Sequence, residues 1–194
     1  MRIDEIVVLT LKYLSNEKGE VEGRTLLQKV VYFLNESLDL GISFIPYYYG
    51  PYSEKITNAL GELKSVGMIE EKVESYSSER TWLSIFEPRL YKYILTDFGF
   101  KFAEVIENKH KADAEKVKKT IEEINSAFQG NTKLLSVAGK MLTILRLKNK
   151  PMRPQNILKE AKALNWNISE REAKEAINSL KKLNLVEIVS KSNV

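Results

Sequence analysis

Two segments of the chain, 117 positions apart, share one pattern of helix, stop and strand. Each begins as a helix with periodic apolar residues, the first around Leu63 and the second around Leu180. These helices stop at Gly67 and Asn184, residue types that adopt a left-handed helix end with little steric strain. An apolar strand start follows each stop. A winged helix-turn-helix joins its recognition helix to its wing in this way, so the repeat predicts two such modules in tandem.

The first predicted module contains three helices. Apolar residues recur at helical spacing over 3–16 and 23–38. Ser53 is a favourable N-cap for the third helix, whose inward positions include Ile56 and Leu63.

Extended segments are predicted on both sides of the third helix. The aromatic and β-branched run 44–49 favours a short strand, and Gly50-Pro51 favours a turn after it. Two wing strands are expected near 68–76 and 90–95, with an apolar cluster at 82–86 between them.

After a fourth helix that begins at Thr96-Asp97, a charged helix is predicted as the connection between modules. Its thinning apolar residues follow steps of three and four positions, the spacing at which two helices pack along each other. This heptad seam consists of Ala114, Val117, Ile121, Ile124 and Phe128. The seam either packs on the protein's own body or joins two copies in a homodimer, and both alternatives are open.

The second predicted module follows Gly130-Asn131. Its helices are expected over 134–148, 154–164 and 170–182. Ser169 and Glu172 form a capping box at the start of the third helix. A single strand, 185–189, replaces a full wing. The sequence therefore predicts a mostly α protein with small β wings (α+β), with winged helix-turn-helix domains at 1–107 and 131–194 and a connecting helix at 108–130.

The charge of the chain is unevenly distributed. Residues 139–194 hold 12 Lys/Arg and 5 Glu, whereas residues 1–138 hold 18 Lys/Arg and 21 acidic residues. Phosphate contacts supply much of the affinity of proteins for DNA, so the basic second module is the better candidate for binding double-stranded DNA.

Several classes of function are disfavoured by composition. The chain has no cysteine and one histidine, His110, so disulfides, thiolate metal sites and a multi-histidine site are excluded. No glycine-rich phosphate loop is present. We therefore expect no catalytic residues, no metal and no cofactor. The absence of a long apolar run or a signal peptide predicts a cytoplasmic protein that does not enter the membrane.

The outward face of the last helix carries the candidate DNA-binding residues. Arg171 and Lys174, one turn apart, are suited to guanine acceptors, and Asn178 is suited to adenine. The expected phosphate contacts are Arg153, Lys181, Lys182 and Lys191. A solvated helix face with no ligand is the alternative for each residue.

The run Tyr47-Tyr48-Tyr49-Gly50-Pro51-Tyr52 places four tyrosines in six positions. Such a cluster can stack on bases, bind a partner protein or pack around a tight turn. We expect some rings to pack and at least one to stay exposed. With Val117, Ile121 and Ile124 of the seam, these tyrosines form a candidate partner surface, for a second copy or for another protein. The alternative to DNA binding is thus a protein-interaction module, such as an antitoxin or scaffold.

The segments Arg24–Phe33 and Tyr48–Ser53, followed by a helix ending at Gly67-Met68-Ile69, resemble the archaeal and bacterial proteins grouped around YwgA. They resemble more distantly the Panacea domain of SocA-like antitoxins, through a Leu-Gln-Lys helix and a Gly-Pro turn. The resemblance covers about residues 3–107 and implies a winged-helix-like body with a role in regulation or toxin neutralisation. It brings no catalytic residues. The matching positions are Leu27, Gln28, Lys29, Tyr32, Gly50, Pro51 and Ser53.

Overall fold

A computed structural model describes residues 1–75 and 89–187 of the chain. These residues are mostly helical, with two small antiparallel sheets, which confirms the predicted α+β class. The described elements are, in chain order, α1 (Ile3–Leu14), β1 (Glu20–Glu22), α2 (Arg24–Leu38), β2 (Ile45–Tyr47), β3 (Gly50–Tyr52), α3 (Glu54–Ser65), β4 (Ile69–Ser75), β5 (Arg89–Leu95), α4 (Asp97–Lys109), α5 (Lys111–Phe128), α6 (Thr132–Lys148), α7 (Pro154–Ala163) and α8 (Glu170–Lys182).

Contacts between residues divide the chain into two compact units that do not follow chain order. Unit 1 comprises Met1–Gln28 and Glu54–Lys118, and unit 2 comprises Lys29–Ser53 and Lys119–Val194. Helices α2 and α5 therefore contribute residues to both units. This division does not test whether residues 1–107 and 131–194 fold as separate domains, so those predicted boundaries stay a prediction.

The sheet of unit 1 has the strand order β1-β5-β4, and all neighbouring strands are antiparallel. β4 and β5 pair from Ile69 opposite Leu95 along their whole length, as expected for the two predicted wing strands. The three-residue strand β1 was not predicted. It pairs with β5 through Val21 opposite Tyr93, and both side chains are buried. Burial of this cross-strand pair stabilises a strand too short to be recognised from its own sequence.

The helices of unit 1 enclose a shared core. α1 packs against α3 and α4, and its residues from Ile6 to Leu11 are all buried. The stop after α3 is Gly67, with φ +73°, as the sequence predicts. α4 begins where expected, because the Thr96 hydroxyl accepts a hydrogen bond from the Gly99 amide at 3.1 Å. A Cβ on Gly99 would lie only 2.1 Å from the Met68 carbonyl oxygen, so this close approach of α4 requires glycine.

Helix α6 lies at the centre of unit 2 and packs against α7, α8 and β3. Leu135, Ala138, Met141 and Leu142 form its buried stripe, and Leu145 at the end of this stripe is half-buried. Further residues are buried as well, and β3 packs on another face of the helix, where Pro51 lies against Gly139. These additional buried residues are Val137, Thr143 and Ile144. The second module therefore includes β3 in addition to its three predicted helices.

The structure corrects the predicted turn at Gly50-Pro51. The turn consists of Tyr48 and Tyr49, and Gly50 and Pro51 belong to β3, where they pair with Tyr47 and Pro46. Gly50 has φ +117°, a conformation that favours glycine. It is the first residue after the turn and not the first residue of the turn. The hairpin Ile45–Tyr52 is named the tyrosine hairpin below.

Two further expectations change in detail, and a third is not tested. The charged connecting segment is interrupted at His110, between α4 and α5, so it is not one helix from 108. Residues 185–187 of the predicted strand 185–189 are not a strand, and the strand's last two residues lie outside the described part of the chain. The apolar cluster at 82–86 also lies outside the described residues.

The heptad seam is buried within a single chain. Its five residues are at most 3% exposed, and three of them, Val117, Ile121 and Ile124, are at most 1% exposed. This burial favours packing on the protein's own body over the alternative in which the seam joins two copies. These three residues are core residues here and not a partner surface, because at most 1% of each is exposed to a second chain. A homodimer remains a prediction and would have to use other residues.

Candidate nucleic-acid interface

Local sequence signals delimit the last three helices of unit 2. Asn149 ends α6 in the left-handed conformation, with φ +46°, and Pro154 occupies the first turn of α7. Asn165, with φ +56°, begins the turn between α7 and α8. The predicted capping box is present, because the Ser169 hydroxyl accepts from the Glu172 amide at 3.3 Å and the Glu172 carboxylate accepts from the Ser169 amide at 2.9 Å. α7, this turn and α8 follow one another in the order of the predicted helix-turn-helix, which stays a prediction.

Helix α8 has one buried and one exposed face. The buried residues are Ala173, Ala176, Ser179 and Leu180. The helix packs against α6, and the Ser179 hydroxyl donates to the Ala127 carbonyl of α5 at 3.0 Å. Its exposed face carries Arg171, Lys174, Asn178, Lys181 and Lys182 together. Five of the seven predicted DNA-binding residues thus share one accessible surface.

The cations of this face differ in their surroundings. Arg171 pairs with Glu175 of the same helix at 3.8 Å, whereas Lys174 and Lys181 form no ion pair with any described residue. Lys174 and Lys181 are seven residues apart, so they lie on one line along the helix. Lys182 shares a shallow surface depression with two carboxylates of α5, at Glu122 and Glu123. Lys174 and Lys181 are therefore the cations most available to an anionic ligand.

The two remaining predicted contacts lie outside α8. Arg153 is the exposed residue that precedes α7. Lys191 lies outside the described residues.

Other cations of the second module are engaged in unit 2. Arg146 pairs with Glu36 at 2.5 Å, and Lys148 pairs with Glu160 at 2.9 Å. The positive charge predicted for residues 139–194 is therefore partly neutralised away from α8, whose exposed charged residues are four cations and two glutamates, Glu170 and Glu175.

The first turn of α8 is joined to the first turn of α6 by an ion pair. Lys133 lies 2.6 Å from the Glu172 carboxylate. This ammonium and the hydrogen bonds from Ser169 lower the pKa of Glu172 to about 2. Glu172 is consequently ionised at all physiological pH values, and its charge lies at a helix amino end, where anions are stabilised.

The tyrosine hairpin presents aromatic rings to solvent. Tyr47, Tyr48 and Tyr49 are 50%, 76% and 71% exposed, and Tyr52 is half-buried. The Tyr47 ring contacts those of Tyr48 and Tyr52, with centroid distances of 5.0 and 5.2 Å. The prediction that at least one ring stays exposed is confirmed.

The hairpin backbone is attached to α6 and to the turn before α8 by contacts that the sequence did not predict. The Trp166 indole N–H, in the turn before α8, donates to the Tyr47 carbonyl at 2.9 Å. The Ser136 hydroxyl of α6 donates to the Tyr49 carbonyl at 3.3 Å. The Lys140 ammonium lies 5.7 Å from the centre of the Trp166 ring. A lone tryptophan in a polar turn is the only local signal that could have indicated this attachment.

The third helix of unit 1 offers a less basic surface. The outward residues of α3 include equal numbers of cations and carboxylates, and Lys64 is bound to Glu71 at 2.8 Å. These exposed charged residues are Glu54, Lys55, Glu62 and Lys64. A phosphate backbone would find no excess of positive charge on this helix.

The seven matching positions of the resemblance to the YwgA group are all buried. The side chain of Gln28 donates to the Thr57 hydroxyl at 3.2 Å. Lys29 is only 7% exposed and forms no ion pair with any described residue. Burial, assisted by the nearby Lys140 ammonium, lowers the pKa of Lys29 to about 8. The motif therefore contributes to the interior and not to an exposed site.

Two other kinds of site are absent from residues 1–75 and 89–187. No three His, Cys, Asp or Glu side chains lie close enough to bind a metal ion. Among the same residues, no helix is both long and apolar enough to cross a bilayer.

Comparison with known proteins gives one informative similarity. No known protein family matches the chain. The chain is 31% identical over 88 residues to the uncharacterised protein YwgA of Bacillus subtilis (strain 168), which supports the resemblance to a YwgA-like family. The alignment covers 45% of this chain, and the chain spans about half of the relative, 48% of its length.

Proposed function

We propose that the protein binds double-stranded DNA through the exposed face of α8 and acts as a transcriptional regulator. The observation that carries the proposal is the accessible face of α8, on which Arg171, Lys174, Lys181 and Lys182 are exposed together; α8 would be the second helix of the predicted helix-turn-helix. In such proteins the second helix enters the major groove, and residues near its amino end contact base edges.

The exposed residues of α8 have the chemistry that this role needs. Arg171 and Lys174 lie in its first turns, where they would donate to guanine acceptors, and Asn178 is one turn further on, suited to adenine. Lys181, Lys182, Arg153 and Lys191 would contact phosphates and hold the helix in register.

The order of elements in unit 1 supports a second, winged-helix-like module. Three helices alternate with strands, and β1, from the connection between α1 and α2, pairs with the second strand of the β4–β5 hairpin that follows α3. In a winged helix this hairpin is the wing. Because α3 lacks a positive excess, we assign the main DNA contact to α8 and a weaker contact to unit 1.

The test is the binding of a fluorescent random-sequence duplex by the full-length chain, measured by anisotropy between about 50 and 200 mM salt. The Lys174→Glu, Lys181→Glu double variant is expected to bind at least about tenfold more weakly, and its plot of log affinity against log salt should be less steep by about 2. Lys101→Glu with Lys109→Glu is the control, since both lysines are exposed on α4 and the change in net charge is identical.

If the α8 and α4 variants lose the same affinity for the duplex, only net charge matters and the exposed face of α8 is not the DNA-binding surface. Unchanged binding of the α8 variant would refute the proposed face as well.

A protein-interaction module, such as an antitoxin or scaffold, is the second candidate. The exposed tyrosines favour it, whereas burial of the heptad seam removes the other half of its predicted surface. Co-purification of a partner protein in nuclease-treated extract, lost in a Tyr48→Ala, Tyr49→Ala variant, would support this candidate. Retention of that partner by the variant would contradict it.

A further inference from the structure

The tyrosine hairpin is an unusual surface for a chain in which 29% of residues are charged. No residue from 41 to 53 carries a charge, yet Ile45 and three tyrosines within this segment are at least half exposed. Exposed apolar surface of this kind, when contiguous, commonly marks a binding site. Each tyrosine also carries a hydroxyl that can donate a hydrogen bond.

The backbone of the hairpin is held while its rings remain exposed. Trp166 and Ser136 bind two of its carbonyls, and Pro51 packs against Gly139, where a Cβ would lie 3.4 Å from the proline ring. A surface fixed in this way loses little conformational entropy when a ligand binds.

The residues that hold the hairpin also place it beside the amino end of α8. Trp166 lies in the turn that leads into α8. Ser136 lies one turn along α6 from Lys133, which is bound to Glu172 in the first turn of α8. In a helix-turn-helix this end of the second helix is the end that meets base edges. A surface next to it would therefore face the same duplex.

We propose that the tyrosine hairpin is a second, uncharged DNA contact, in which the hydroxyls of Tyr48 and Tyr49 donate to phosphate oxygens. This inference rests on the proposed function of α8. Tyrosine is among the side chains that bind phosphates in protein–DNA complexes. The hairpin contains no carboxylate to repel the backbone, and Lys140 lies on the adjacent face of α6. Pairing of a partner strand with the hairpin is disfavoured, because Pro46 and Pro51 each remove a backbone donor from its strands.

An uncharged contact has a signature that distinguishes it from the lysines of α8. Removal of a lysine at a phosphate reduces both affinity and salt dependence, because fewer counterions are released on binding. Removal of a tyrosine hydroxyl reduces affinity and leaves the salt dependence unchanged.

The experiment compares full-length wild type with Tyr48→Phe, Tyr49→Phe in anisotropy titrations of the random-sequence duplex across the same salt range. The substitution keeps both rings and so should keep the fold, which circular dichroism can confirm. We expect about tenfold weaker binding or more, with an unchanged slope of log affinity against log salt. Tyr13→Phe, which removes a hydroxyl bound to Glu107 in unit 1, is the control and should bind as wild type does.

Equal affinity of wild type and the double Phe variant would overturn the inference and leave the α8 proposal intact. A double Phe variant that loses affinity together with part of its salt dependence would also overturn it, since the hairpin would then act by shifting the lysines. If wild type itself does not bind the duplex at low salt, the proposed function fails and this inference fails with it. Loss of a protein partner by the double Phe variant, with DNA binding unchanged, would assign the hairpin to protein recognition instead.

Discussion

Replacement of Lys29 by methionine should stabilise the protein, and the gain should depend on pH. The Lys29 ammonium is buried, has no ion pair with any described residue, and experiences the positive charge of Lys140. Its pKa in the folded state is about 8, against 10.5 for an ordinary lysine. A depressed lysine pKa means that the folded state binds this proton more weakly than the unfolded state. The charged form therefore lowers stability fully below pH 8, and the penalty fades as pH rises from 8 towards 10.5.

The size of the effect follows from the pKa difference. At 1.36 kcal/mol per pKa unit, the penalty at pH 7 is about 3 kcal/mol, falling to about 2 kcal/mol at pH 9 and about 1 kcal/mol at pH 10. Methionine has a similar length and no charge, so Lys29→Met should recover most of this free energy of unfolding.

Urea unfolding followed by circular dichroism at pH 7, 9 and 10 gives the free energies of unfolding of both proteins. Lys174→Met is the matched control, because Lys174 is exposed on α8, and its effect should stay within about 0.5 kcal/mol at every pH. A stabilisation of Lys29→Met that is the same at all three pH values would refute the reasoning, since it would arise from packing and not from the charge. Destabilisation at pH 7 would refute it outright.

Two further predictions concern packing. Gly99→Ala should lower the free energy of unfolding by more than about 2 kcal/mol, because the new Cβ would collide with the Met68 carbonyl. Gly61→Ala, in α3 with open space around it, is the control and should be neutral or stabilising. Equal thermal melting temperatures for the two variants would contradict this account. Ile121→Asp should abolish cooperative unfolding in circular dichroism, because Ile121 is 1% exposed within one chain and would bury a charge. If light scattering instead showed that wild type is a dimer and the variant a folded monomer, the seam would be a dimer interface.

Local signals in the sequence account for much of the fold. Thr96 and Ser169 begin their helices as predicted, because a hydroxyl at the N-cap satisfies a backbone amide within the same few residues. Gly67 and Asn184 take the left-handed conformation at the predicted stops. The exposed face of α8 was predicted because helical periodicity alone separates its buried and exposed residues.

The contacts that the sequence did not predict are long-range. Trp166 binds a carbonyl 119 residues away in the tyrosine hairpin, and Ser136 binds one 87 residues away. Neither residue type nor local spacing specifies such a partner. The packing of β3 on α6 is long-range in the same way, since β3 comes from an earlier part of the chain. The three-residue strand β1 is likewise defined by its partner β5.

The most direct test of the central claim is chemical-shift mapping of the ¹⁵N-labelled full-length chain with a short random-sequence duplex at low salt. The account predicts that the largest shifts fall on residues 169–182 and include the side-chain amide of Asn178, which is exposed on α8. Absence of shifts at saturating duplex, or shifts confined to residues outside α7, α8 and the tyrosine hairpin, would contradict it.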